Sequence, residues 1–127
     1  MFHHVSIGVS DLERSAAFYD AVLGALGFAR RIEKERTISW CDPKTGTPHF
    51  WINLRDELTV VPEDGRHIAF RAEDNFAVDR FYETAIISGG VGAGAPGFRP
   101  QYRDTYYGAF VLDPDGHKIE AVHLPAA

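Results

Sequence analysis

The chain has 127 residues, room for one domain, and its 13 Lys and Arg against 18 Asp and Glu give a formal net charge of −5. That balance argues against a non-specific nucleic-acid binder, no apolar run reaches the roughly 18 residues of a membrane span, and the single cysteine, Cys41, excludes an internal disulfide and any cysteine-only zinc site. With no charged-then-apolar leader at its start, a soluble, cytoplasmic protein is the expectation.

Sliding the chain along itself by 63 residues places His4-Val-Ser-Ile-Gly-Val over His67-Ile-Ala-Phe-Arg-Ala, Asp11 over Asp74, Phe18-Tyr19 over Phe81-Tyr82 and Gly27 over Gly90. In the first copy Val5, Ile7 and Val9 alternate with His4, Ser6 and Gly8, the period of a strand with one packed face. Ser10 or Asp11 can cap the helix that follows, Leu12, Ala16, Tyr19, Leu23 and Leu26 recur at helical spacing, and Gly27 ends the run. Strand-like segments follow at 28–33, 37–41 and 49–54, with a Pro-Lys-Thr-Gly turn at 43–46, and a short stretch at 58–61 leads to the second copy. There Ile68, Phe70 and Ala72 alternate with His67, Ala69 and Arg71, while Val78, Phe81, Tyr82, Ala85 and Ile86 form the helical stripe that Gly89-Gly90 closes. Strands are expected at 97–103, 107–112 and 117–124, the last two joined by Asp113-Pro-Asp-Gly116, a strong turn signal. The glycine-rich run 89–94 follows a helix and lacks a lysine, so it reads as a helix stop and loop rather than a phosphate cradle. The sum is βαβββ twice over, an α+β domain spanning 1–127 with modules at about 1–62 and 63–127 and its helices on one face of the sheet.

The alternation also fixes directions. Val5, Ile7, Ile68, Phe70, Ile119 and Ala121 belong against the helices, so His4, His67, Lys118, Glu120 and Val122 face the open side. A lone strand histidine is more often a surface or hydrogen-bonded residue than a ligand, and a lone strand glutamate is normally solvated. Here the repeat puts His4 and His67 at equivalent positions, on one face with Glu120. Two imidazoles and a carboxylate suit iron, manganese, nickel, cobalt or zinc.

His4-Val5 opening a strand, Asp11-Leu-Glu-Arg-Ser15 leading into Phe18-Tyr19, Leu23-Gly24 through Leu26-Gly27-Phe28, and Ala109-Phe-Val111 before Asp113-Pro-Asp-Gly-His-Lys-Ile-Glu120 resemble the vicinal oxygen chelate superfamily of glyoxalase, bleomycin-resistance and dioxygenase proteins. The resemblance covers essentially the whole chain. It implies paired βαβββ modules forming a cupped, barrel-like mixed sheet, with His4, His67 and Glu120 as ligands of a divalent metal. Glyoxalase I adds a fourth ligand late in the first module. The corresponding strand here, His49-Phe-Trp-Ile-Asn-Leu54, carries no acid, and His49 is the best-placed substitute. The chemistry implied is chelation of two neighbouring substrate oxygens, with Glu120 as catalytic base in a glyoxalase-like or dioxygenase-like enzyme.

Trp51, Phe98, Arg99, Tyr102, Arg103, Tyr106 and Tyr107 surround the expected cup, and of these Trp51, Arg99, Tyr106 and Tyr107 are the candidate substrate contacts. Aromatics with one or two cations suit a small, partly planar or anionic organic ligand. The rival reading is a metal-free protein that sequesters a small toxic compound. Family members of this length are usually homodimers, and the sequence leaves open whether modules pair within a chain or across two. Neither nucleic acid nor membrane is expected as a partner.

Overall fold

Asp11 and Asp74, superimposed by the repeat, each start a helix: their carboxylates accept from Arg14 N at 3.0 Å and Ala77 N at 2.7 Å, satisfying N–H groups that a first turn leaves unpaired. Gly27, with φ +89°, supplies the left-handed residue after the first helix. In the computed structural model, which describes residues 1–61 and 65–125, the chain runs β1 (Val5–Val9), α1 (Leu12–Ala25), β2 (Ala29–Glu33), β3 (Thr37–Cys41), β4 (Pro48–Leu54), β5 (Ile68–Arg71), α2 (Asn75–Ile87), β6 (Val91–Phe98), β7 (Tyr107–Leu112) and β8 (Lys118–His123). The expected module boundary at 62/63 lies outside the described residues.

The repeat is reproduced in topology. Each module forms a four-stranded mixed sheet, ordered β1-β4-β3-β2 and β5-β8-β7-β6, with its first strand parallel to its last and the rest antiparallel. The two sheets are cupped, as expected, and form two open sheets rather than one closed barrel. Among the described residues no strand of one sheet pairs with a strand of the other, and β2 and β6 remain edges.

Both helices pack on the same side and bury one shared core. Phe18, Tyr19, Val22 and Leu23 of α1 and Val78, Phe81 and Ala85 of α2 meet Trp40, Phe50, Ile52, Ala109, Val111, Ile119 and Ala121 of the strands. Phe50 and Phe70 join the modules edge to face at 5.1 Å. Val5, Ile7, Ile68 and Phe70 pack against this core as the alternation required, whereas Ile86, placed in the second helical stripe, is 44% exposed.

Two segments differ from the sequence reading. The run 89–94 is not a loop, because β6 begins at Val91, and the expected strand 97–103 gives way after Phe98 to a turn-rich segment that returns at Tyr106. Two glycines of β6 are crowded by their neighbours: a Cβ at Gly92 would collide with the Tyr82 hydroxyl, and one at Gly94 would press on the Phe110 ring at 3.1 Å. Without side chains such a strand carries no alternation to read.

The turn between β7 and β8 does more than reverse the chain. Asp113, 3% exposed, accepts from Asp115 N at 3.0 Å, His117 N at 2.9 Å and the buried Tyr19 hydroxyl at 2.6 Å. Burial nevertheless raises its pKa, the three hydrogen bonds only opposing the shift. Asp115 accepts from Ser10 N at 3.1 Å, from the Ser10 hydroxyl, and from Arg14 Nη2 at 3.1 Å. His117 Nε2 donates to Gly8 O at 2.7 Å. The turn of the second module thus grips the start of α1.

Candidate functional site

Strands β5 and β8 run parallel, with Ile68 beside Ile119 and Ala69 beside Glu120. Ile119 is fully buried and Ile68 packs against the core. His67, Lys118 and Glu120 therefore share the opposite face, as the sequence predicts. Glu120 is only 1% exposed. Its Oε1 lies 3.1 Å from His67 Nε2, and its Oε2 accepts from the Tyr106 hydroxyl at 2.6 Å. Gly108, on the adjoining strand, leaves space for this carboxylate: a Cβ there would stand 2.9 Å from Oε2. Desolvation, reinforced by the bond to Glu120, raises the Tyr106 pKa well above the usual phenol value, with the Arg99 charge opposing.

Phe110 pairs directly with Glu120 across β7 and β8. The His67 ring meets it edge-on at 5.4 Å, while Lys118 Nζ and the Arg99 guanidinium carbon lie 5.1 and 5.8 Å from its centre. Arg99 is held in place by backbone carbonyls, Nη1 donating to Gly97 O at 2.9 Å and Nη2 to Ala95 O at 2.8 Å. Phe110 was not among the residues singled out from the sequence. Its alternation with the buried Ala109 and Val111 would have found it.

The other candidates are distributed differently. His4 lies beside His3, Nδ1 to Nδ1 at 2.8 Å, with its ring 6.4 Å from that of Trp51. His49 Nδ1 donates to His3 O at 2.6 Å, so it shares the rim of the first sheet with His4 and not the neighbourhood of Glu120. A cleft of about 420 Å³ is lined by His4 and His49 together with Phe50, Phe70 and Arg71. His67 and Lys118 instead open into a second cleft of about 630 Å³, opposite Ser6 and Gly8. Tyr107 points away from both, its hydroxyl donating to Asp79 of α2 at 2.6 Å and its ring against Phe98 at 5.1 Å. The structure thus brings together His67, Glu120, Tyr106 and Arg99. It keeps His4 with Trp51 and turns Tyr107 toward the helix.

Among the described residues no three His, Cys, Asp or Glu side chains gather into a set that could hold a metal ion. Two of the expected three ligands do fit one. Donors at about 2.1 Å from a metal and at right angles lie about 3.0 Å apart, and His67 Nε2 and Glu120 Oε1 stand at 3.1 Å. Tyr106 occupies the other carboxylate oxygen, leaving Oε1 turned to the imidazole.

No described helix is long and apolar enough to cross a membrane. The Glyoxalase/Bleomycin resistance protein/Dioxygenase superfamily model matches residues 1–121. An uncharacterized protein of Bacillus subtilis (strain 168), YqjT, is 32% identical, covering 94% of this chain and 96% of that protein. The metallothiol transferase FosB of Lysinibacillus sphaericus (strain C3-41) is 30% identical over 93% of this chain and 78% of its own length. Among solved structures, a glyoxalase/bleomycin resistance protein from Albidiferax ferrireducens T118 superimposes with a TM-score of 0.85 at 34% identity, over 98% of this chain and 99% of that one. The repeated modules, the paired open sheets and these matches lead to one assignment: the chain belongs to the glyoxalase/bleomycin resistance protein/dioxygenase superfamily.

Proposed function

We propose that the protein is a metal-dependent enzyme that acts on a small, oxygenated, anionic organic substrate at the open face of β5, β8 and β7. The observation that carries this reading is the His67–Glu120 pair, set at the separation of adjacent metal ligands, with the carboxylate buried and the imidazole open to solvent. The relative named as a metallothiol transferase supports a metal in this fold. Bound there, a divalent ion supplies Lewis-acid stabilisation of negative charge on substrate oxygen. The chain's own contributions are separable. Phe110 offers a flat apolar surface beside the pair, and Arg99, pre-positioned by two carbonyls, receives the anionic group. Proton transfer at this face falls to Glu120.

His4 is proposed as the third ligand, delivered by a second copy in a homodimer, because in its own chain it opens into a different cleft from His67. Metal content after reconstitution with cobalt, nickel, zinc, manganese or ferrous ion tests the reading. The wild type should hold close to one ion per chain, and His4→Ala, His67→Ala and Glu120→Ala should each lose it while keeping the wild-type circular dichroism spectrum. Mixing His4→Ala and Glu120→Ala chains through unfolding and refolding should restore one intact site in each mixed dimer, and no restoration would place all three ligands within one chain. Absence of specific binding by the wild type would turn the assignment to a metal-free sequestering protein.

A further inference from the structure

We infer that Tyr106 is a positioning residue for Glu120: its hydroxyl holds Oε2 and leaves Oε1 alone as the oxygen offered to a cation beside His67. This rests on the metal-site reading above and adds to it the manner in which the carboxylate binds. A glutamate carboxylate is free to rotate about its last side-chain bond and to take a cation through one oxygen or both. Three contacts remove that freedom here. The phenol donates to Oε2 at 2.6 Å, the imidazole stands 3.1 Å from Oε1, and Gly108 forms the wall against which Oε2 rests, with space for no Cβ.

Tyr106 is itself fixed from outside the strands that carry the ligands. It closes the segment after β6, where Arg99 N donates to Tyr106 O at 2.8 Å, Tyr106 N to Arg103 O at 3.0 Å and Tyr102 N to Arg99 O at 2.9 Å. Its ring meets Tyr102 edge-on at 5.1 Å. The hydroxyl therefore arrives on a braced loop, and groups that orient a ligand in this way typically control metal affinity 10–100-fold.

The test is a titration of the metal-free protein with Co(II), followed by visible absorption, for the wild type, Tyr106→Phe and Gly108→Ala. Tyr106→Phe keeps the ring and removes the donor. It should bind Co(II) about 10–100-fold more weakly, with a changed d–d spectrum as the carboxylate turns to present both oxygens, and with wild-type far-ultraviolet circular dichroism when metal-free. Gly108→Ala sets a Cβ 2.9 Å from Oε2 and 3.2 Å from the Tyr106 ring, so it should disturb the same hydrogen bond and change the spectrum as well, and an unchanged spectrum and affinity there overturns the proposal if Tyr106→Phe does not fold. Wild-type affinity and spectrum in the folded variants would overturn the role of Tyr106 while leaving the metal site standing. A wild type that binds no Co(II) would overturn both.

Discussion

The Tyr19 hydroxyl is fully buried and donates to Asp113 at 2.6 Å, so one O–H joins the first helix to the turn of the second module. Tyr19→Phe removes the donor and leaves a buried carboxylate oxygen short of a partner, which should cost about 1–3 kcal/mol in chemical unfolding at neutral pH. Burial, then the negative charge of Asp113, raises the Tyr19 pKa well above the ordinary phenol value. A folded pKa above the unfolded one means the contribution is fully present below about pH 10 and is lost as pH rises through the folded value. Wild-type stability should therefore fall more steeply above pH 10 than that of Tyr19→Phe, and equal slopes would show that the phenol ionises alike in both states. At this scale, directions were legible in the sequence and partners were not. Alternation placed His67 and Glu120 on one face, and applied to Ala109 and Val111 it also turns Tyr107 inward. Nothing in the spacing could show that Tyr106 meets Glu120, because that contact depends on how the segment after β6 folds back.

Among the elements, β6 was the hardest to read and is the most constrained. Gly90, just before it, sits where the modules meet: a Cβ there would lie 2.9 Å from Ala85 O, 2.9 Å from the Phe18 ring and 3.0 Å from Leu112 O. Two of these three atoms are backbone and cannot swing aside, so Gly90→Ala should lower stability by about 1–3 kcal/mol, the usual cost of overfilling a packed site. An unchanged denaturation midpoint would mean that α2 and β7 separate freely. Glycine-rich composition reads as a loop because glycine is poor in strands, yet here Gly90, Gly92 and Gly94 mark close approaches of backbone, Tyr82 and Phe110. As an edge strand β6 also needs protection from pairing with other chains. It carries Pro96 within its irregular stretch between Gly94 and Gly97, and Arg99 occupies the carbonyls of Ala95 and Gly97. By contrast α1, with Asp11 before it and Gly27 after it, was legible because its signals are local and chemical.

For the whole molecule, the repeat announced two modules, but their mutual arrangement had no signature in the sequence, since contacts between modules follow no period. Beside the shared core and the Phe50–Phe70 contact, the structure places a polar connection in the Asp113–Gly116 turn. Asp115, whose side chain is 6% exposed, gathers Ser10 and Arg14 of the first module. Asp115→Ala should cost about 1–3 kcal/mol and loosen the coupling between halves. Both tryptophans, Trp40 and Trp51, lie in the first module, so their fluorescence reports that half while circular dichroism reports both. The two urea transitions should coincide in the wild type and separate in the variant. Coincident transitions at the wild-type midpoint would show that the shared core alone unites the modules. The same turn sets an order of events during synthesis. Ser10 and Asp115 are 105 positions apart, so the first helix leaves the ribosome long before the residue that secures its opening turn has been made. Until then Ser10 and Arg14 lack this partner, and the opening turn of the first helix is among the last to be locked.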